Sequence, residues 1–274
     1  MDTLQIGSFT RQVPGTWNEL TRKQLLRVLP LVLAQPTPDR DLRLLAALTG
    51  FPLLTLSSLD TEVLAQLLPL VDWLSSDEHL LTAQLLPTLL LPGTYTRWHG
   101  PRESFRNLLF GEFIFADTFF VLFCQQQQGH FLDQFLATLY RPARRVTTAA
   151  GMLEQDASPE DADWNGDVRQ AFNEHQLDTR APKLAKMPLD QKLAVLTWYR
   201  GCRAQLAQEF PDVFVEPDPD DPKTQAAPPD WPRVLRKLSG GAFGTVGETS
   251  KQPLRLVLAE MQDLATTKPA PTHA

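Results

Sequence analysis

The segment Asp161-Ala162-Asp163-Trp164-Asn165-Gly166-Asp167-Val168 sets oxygen-bearing side chains at alternate positions around a glycine turn. This is the arrangement by which a calcium-binding loop gathers its ligands. Asp161, Asp163, Asn165 and Asp167 are therefore the candidate metal ligands. Phe172 stands where such a loop places its bidentate glutamate, and an acid-rich surface loop capping the following helix accounts for the same residues. The sequence implies neither a resident metal nor another cofactor. The histidines at 79, 99, 130, 175 and 273 form no HExxH and no close pair, so they read as structural or surface residues. Cys124 and Cys202 lie far apart, beside Phe123 and Tyr199, and read as inert core thiols. Glu112 and Asp117 are five positions apart, about 140° on an ideal helix, so they do not converge as an acid–base pair. They are expected to be structural, with Arg102, Arg106 or Arg141 as partner. No GxSxG surrounds a serine, and no catalytic residue is assigned: the chain reads as a non-enzyme.

A second stretch, Ser239-Gly240-Gly241-Ala242-Phe243-Gly244-Thr245-Val246, looks like the glycine-rich loop of a protein kinase with its first glycine replaced. A kinase then needs a VAIK lysine, an HRD loop and DFG, and none follows Val246. Its flanks carry helical periodicity, so the stretch reads as a turn between two helices. No GxxxxGK[ST] phosphate loop occurs. Arg97, Arg102, Arg106, Arg141, Arg144 and Arg145 form a local basic group. With net charge −6 and no interleaved aromatics, nucleic acid is not an expected partner.

Composition sets the frame for these residues. Over 274 residues, a hydrophobic fraction of 43% supports a sizeable core and argues against a wholly disordered chain. Two cysteines exclude a disulfide framework and fit a reducing compartment. Met1–Thr10 carries no cationic, apolar export signal. The most apolar window, Leu108–Cys124, is interrupted by Glu112 and Asp117, so a buried helix is expected there rather than a membrane span. The expected location is the cytoplasm.

The elements read as all-α: many short helices punctuated by proline, with one small strand or hairpin near 93–98. Thr16–Glu19 and Thr21–Gln24 both have capping-box spacing, the second opening a helix through Leu25, Leu26, Val28, Leu29 and Val32. Asp39 or Asp41 begins the next helix, which ends at Gly50, and Ser58 begins another. Prolines at 30, 36, 38, 52, 69, 87 and 92 keep this region's helices short or kinked. Longer helices are expected over 111–128, 131–140 and 189–210. An acidic, proline-rich linker precedes a C-terminal pair of helices, the first capped by Asp230 with Pro232 in its first turn. The resulting division is an N-terminal helical region (1–93), a central helical region (94–215), a linker (216–230), a C-terminal helical hairpin (231–266) and a disordered tail (267–274).

Trp231-Pro232-Arg233-Val234-Leu235-Arg236-Lys237-Leu238-Ser239-Gly240-Gly241-Ala242-Phe243-Gly244, followed by Pro253-Leu254 and Val257-Leu258, resembles the C-terminal pattern of small phage tail-assembly chaperones. That pattern is a tryptophan, a helix closing on a Leu-Ala-Gly-Gly-like turn, and a short helix with paired leucines. Trp17-Asn18-Glu19-Leu20-Thr21 and Trp198-Tyr199-Arg200-Gly201-Cys202-Arg203 look like segments of uncharacterised proteins from Bacteroidetes phages and prophages. The chain departs from the family in length, and in carrying Ala242-Phe243 where a polar Asp is common. The resemblance implies a non-enzymatic protein of a phage or prophage tail module. The first expectation is an assembly chaperone that coats a long helical tape-measure protein; the alternatives are a virion structural component, such as a baseplate or tail-tube accessory, and an enzyme or regulator whose site the sequence does not display. It further implies a protein partner, oligomers before that partner binds, no membrane, and residence in the bacterial host cytoplasm or the virion. Trp231, Leu235, Leu238, Phe243, Leu254, Val257 and Leu258 are the candidate partner-binding residues, and they serve equally as the hairpin's own core.

Overall fold

The computed structural model describes residues 1–6, 9–76, 80–147, 154–156, 166–214, 230–241 and 243–266. The chain opens with an antiparallel hairpin of β1 (Asp2–Ile6) and β2 (Phe9–Val13). After a 3-10 turn at Trp17–Glu19 come α1 (Arg22–Leu33), α2 (Arg40–Thr49), α3 (Leu53–Ser57) and α4 (Thr61–Leu67), which continues as a 3-10 helix over Leu68–Ser75. Next are β3 (Thr88–Leu90), β4 (Arg97–His99), α5 (Phe110–Gln126), α6 (Gly129–Leu139), β5 (Arg141–Pro142), β6 (Arg145–Thr147) and β7 (Glu154–Asp156). The remaining helices are α7 (Leu177–Leu184), α8 (Leu189–Glu209), α9 (Trp231–Leu238), α10 (Val246–Ser250) and α11 (Leu254–Thr266).

The chain is mostly helical, as its periodicity predicts, but it is not purely all-α. Small antiparallel sheets join β1 to β2, β6 to β7, and β3, β4 and β5 in that order. The expected strand at 93–98 is displaced. Gly93–Thr96 belongs to the turn, while Trp98 lies in β4 opposite Leu89. β5 is two residues long and includes a proline, so it carries no local strand signal. It exists because Arg141 pairs with His99 from across α5 and α6.

Local signals decide the helix ends unevenly. At Thr21 the full capping box forms, with Gln24 reciprocating. At Thr16 it does not: Glu19 instead accepts from the Gly15 amide at 2.8 Å and from the terminal ammonium at 3.1 Å. Those bonds hold the Glu19 carboxyl below its ordinary pKa, the Gly15 amide first among them. Asp39 occupies the N-cap position of α2 without capping it, because its carboxylate is taken by Thr37 and Arg43. α4 begins behind Asp60 rather than at Ser58.

Contacts divide the chain into two compact units, Met1–Leu86 with Pro188–Ala204, and Pro87–Met187 with Gln205–Ala274. This grouping differs from the sequence division, since the C-terminal helices fall together with the central region. The linker and tail of that division lie largely outside the described residues.

In the first unit, α1 and α2 bury Leu25, Val28, Leu29, Leu44, Leu45 and Leu48, and Trp17 meets Trp73 edge-on at 5.7 Å. The stretch 80–83 has no regular structure of its own, and side chains supply its hydrogen bonds. Asn18 accepts from the amides of Thr82 and Ala83, both at 2.8 Å, and donates to the Leu80 carbonyl at 3.2 Å. Trp198 Nε1 donates to the Thr82 carbonyl at 3.0 Å. Gly201 lets α8 lie against this stretch: a Cβ there would stand 2.2 Å from the Leu81 carbonyl oxygen. That contact is against backbone, which cannot rotate away. Gly201→Ala should therefore destabilise the protein by about 3 kcal/mol, at the upper end of overpacking costs, although alanine is the better helix former. Chemical denaturation of the two proteins measures the difference.

Candidate functional site

The second unit is organised around α5, which is apolar all round and buries Phe110, Phe113, Ile114, Ala116 and Phe120 together with Glu112 and Asp117. A helix of this character belongs in a core. Its two acids must then find partners, because an unpaired buried carboxylate is costly. They do so separately.

Asp117 Oδ2 accepts from the indole Nε1 of Trp231 at 2.8 Å. Trp231 is 2% exposed and sits among Phe110, Phe113 and Phe214, with ring centroids 6.2, 5.2 and 6.0 Å away in edge-to-face geometry. Such edge contacts place the positive rim of one ring on the negative face of the next. The start of α9 is fixed locally as predicted: Asp230 accepts from the Arg233 amide at 3.0 Å, and Pro232 occupies the first turn.

The rest of the C-terminal segment follows Trp231 onto α5. Gly240 and Gly244 take positive φ in the turn between α9 and α10, so the glycine-rich stretch is a turn with helices on both sides. α10, a helix beyond the expected pair, starts with a second capping box, Thr245 with Glu248. Gly111 permits its approach, since a Cβ there would meet the Ser250 carbonyl at 3.0 Å. The Leu254 amide donates to the Leu108 carbonyl, and the Phe110 amide to the Gln252 carbonyl, each at 2.9 Å. Leu254, Val257 and Leu258 are buried. Arg255 pairs with Glu209 and donates to the Ser104 carbonyl at 3.1 Å.

Of the seven candidate partner-binding residues, Trp231, Leu254, Val257 and Leu258 are thus spent inside the unit. Leu235, Leu238 and Phe243 are half-buried. The exposed apolar side chains of the segment are ones the sequence did not single out: Leu256 at 52%, Leu264 at 48% and Val246 at 48%. Helix phase gives the signal for Leu256, which is opposite the buried pair.

Glu112 has the other solution. Its Oε1 accepts from Arg141 Nη2 at 2.6 Å and its Oε2 from Arg169 Nη2 at 3.1 Å, with all three side chains at most 1% exposed. Arg169 also forks onto Asp167, with Nη2 at 2.7 Å and Nε at 2.9 Å, and donates to the Leu139 and Asn107 carbonyls. Burial works against the Arg169 charge, but Glu112 and Asp167 outweigh it and hold the guanidinium above its ordinary pKa. Burial dominates at Arg141, which lies below its ordinary value despite Glu112. Of the three arginines expected beside Glu112, Arg141 is the partner; Arg106 pairs with Glu103 at 3.2 Å. Arg169 went unpredicted, because nothing local in a polar, acidic stretch marks it for the core.

Asp167 is the described member of the calcium set, and its carboxylate is engaged by Arg169. Asp161, Asp163 and Asn165 lie outside the described residues. Among the described residues no group of three or more His, Cys, Asp and Glu could hold a metal ion. His99 is half-buried in β4, and His130 and His175 are exposed; His79 and His273 lie outside the described residues. Cys202 is buried, as expected of a core thiol, but Cys124 is exposed. No helix among the described residues is long and apolar enough to cross a membrane. Two segments likened to phage proteins, Trp17–Thr21 and Trp198–Arg203, are brought together on 80–83, where Asn18 and Trp198 share Thr82.

No family model, curated protein or solved structure matches the chain.

The two acid solutions make separable predictions. Trp231→Phe keeps the aromatic contacts but removes the donor to Asp117, and should cost about 1–3 kcal/mol; Trp231→Ala should cost about 3–5 kcal/mol. Both are read from denaturant midpoints, and equal losses would show that the hydrogen bond dominates. Glu112→Gln leaves Arg141 and Arg169 facing each other with Asp167 alone between them. It should destabilise by about 3–5 kcal/mol in the same measurement.

Proposed function

We propose that this chain is a non-enzymatic protein of a phage or prophage tail module, and that it serves as an assembly chaperone for a long helical partner of the tape-measure type. What supports the reading is the likeness of 231–266 to such chaperones, joined to one structural observation. α11 buries Leu254, Val257 and Leu258, while Leu256 and Leu264, about two turns apart, are 52% and 48% exposed. An amphipathic helical partner binds through apolar anchors at that kind of spacing. Glu112, Asp167, Arg141 and Arg169 in the second unit are committed to one another, which is how a scaffold uses charge. In this reading the protein works in the bacterial host cytoplasm and leaves before the particle is complete. Nucleic acid and membrane are not its partners, and oligomers of the chain give way when the partner binds.

Tagged full-length protein, recovered from cells expressing its own locus, should bring down a long helix-rich protein and be missing from purified particles. Replacing Leu256 and Leu264 together with aspartate should leave the circular dichroism spectrum unchanged and lower that recovery about tenfold, the effect of losing one modest anchor. Unchanged recovery by the double variant overturns the assigned surface. Presence of the chain in mature particles replaces the chaperone role with a structural one.

A further inference from the structure

Next to the Glu112 cluster, the second unit holds a buried cation that no carboxylate among the described residues offsets. Arg180, on α7, is 4% exposed. Its Nη2 donates to Gln170 Oε1 at 3.1 Å, and its Nη1 is buried without an acceptor. Gln170 is itself anchored, its amide donating to the Pro142 carbonyl at 2.9 Å. Pro142 follows Arg141, whose Nε is a second buried donor without an acceptor. The neutral Gln170 side chain therefore tethers Arg180 beside the arginines that bind Glu112.

The charges do not balance. Arg141 and Arg169 consume both oxygens of Glu112, and Arg169 engages both oxygens of Asp167. Among the described residues no carboxylate pairs with Arg180. Burial, with the Arg141 charge behind it, lowers the Arg180 pKa to about 10, so the side chain stays charged at neutral pH. A buried guanidinium without a counter-charge is costly, and a neutral hydrogen-bond acceptor relieves only the donor. An anion with a planar or tetrahedral array of oxygens relieves donor and charge together, which is what the guanidinium fork fits. On the same helix Asp178, Thr179, Pro182 and Lys183 are exposed, and Gln170, which holds Arg180, is half-exposed.

We propose that Arg180, backed by Arg141, anchors a binding site for one small oxyanion, a carboxylate or a phosphate. This assignment is independent of the tail-module reading. It is tested by thermal unfolding of the whole protein in inorganic phosphate, in acetate and in chloride at equal ionic strength. Phosphate or acetate should raise Tm saturably, by about 3 °C at ten times the dissociation constant, and whichever acts identifies the source of the oxyanion. Arg180→Met should melt no lower than the parent in chloride and lose the increment. No increment in either anion, or the same increment in Arg180→Met, overturns the site. Should that variant fail to fold, titration of the parent decides: the Arg180 Nε–H resonance should move saturably with the active anion and not with chloride, and a stationary resonance overturns the proposal.

Discussion

Two carboxylates on one apolar helix set the terms for everything around them in the second unit. α5 has no polar face to turn toward water, so Glu112 and Asp117 enter the core with it. The surrounding chain must bring donors to them or leave their charge uncompensated in a medium that solvates ions poorly. Glu112 is met by two arginines, one following α6 and one from the stretch before α7, so a single acid ties three separate segments together. Asp117 is met by an indole from the C-terminal segment, and the three phenylalanines around that ring turn a hydrogen bond into an anchorage. Without those two demands α6, the Arg169 segment and α9 would share only general apolar contact with α5. With them, each has a specified register.

The first unit meets a different constraint by similar means. Residues 80–83 adopt no helix or strand, so their backbone groups need partners from elsewhere. Asn18 and Trp198 provide them, and Gly201 admits the backbone closely enough for the bond to form. Side-chain amides and indoles here do what a ladder does in a sheet. In both units irregular or charged elements are held by a few long-range polar bonds set within apolar packing.

These commitments bear on function. Groups that the sequence marks as chemical are, where described, bound to one another: Asp167 to Arg169, Glu112 to both arginines, Asp117 to Trp231. Leu256 of α11, exposed, and Arg180, buried without a carboxylate partner among the described residues, are of another kind.

The sequence alone determined what depends on neighbours a turn away. The Thr21 capping box, the Asp230 cap with Pro232, the glycine turn after α9, a helix within Leu108–Cys124 buried over most of its length and the mostly helical class were all legible, because each follows from spacing along the chain. The partner of Glu112 was narrowed to three arginines by charge alone, with Arg141 among them. Only the tertiary structure decided the rest. Arg169 and Arg180 look like surface arginines until the tertiary fold buries them, β5 is a strand only because β4 reaches it, and Trp231 faces inward because Asp117 and three phenylalanines await it. Those outcomes depend on which distant groups meet in a low-dielectric interior. There, the cost of an unmatched charge or backbone group exceeds any preference that its own stretch of sequence expresses.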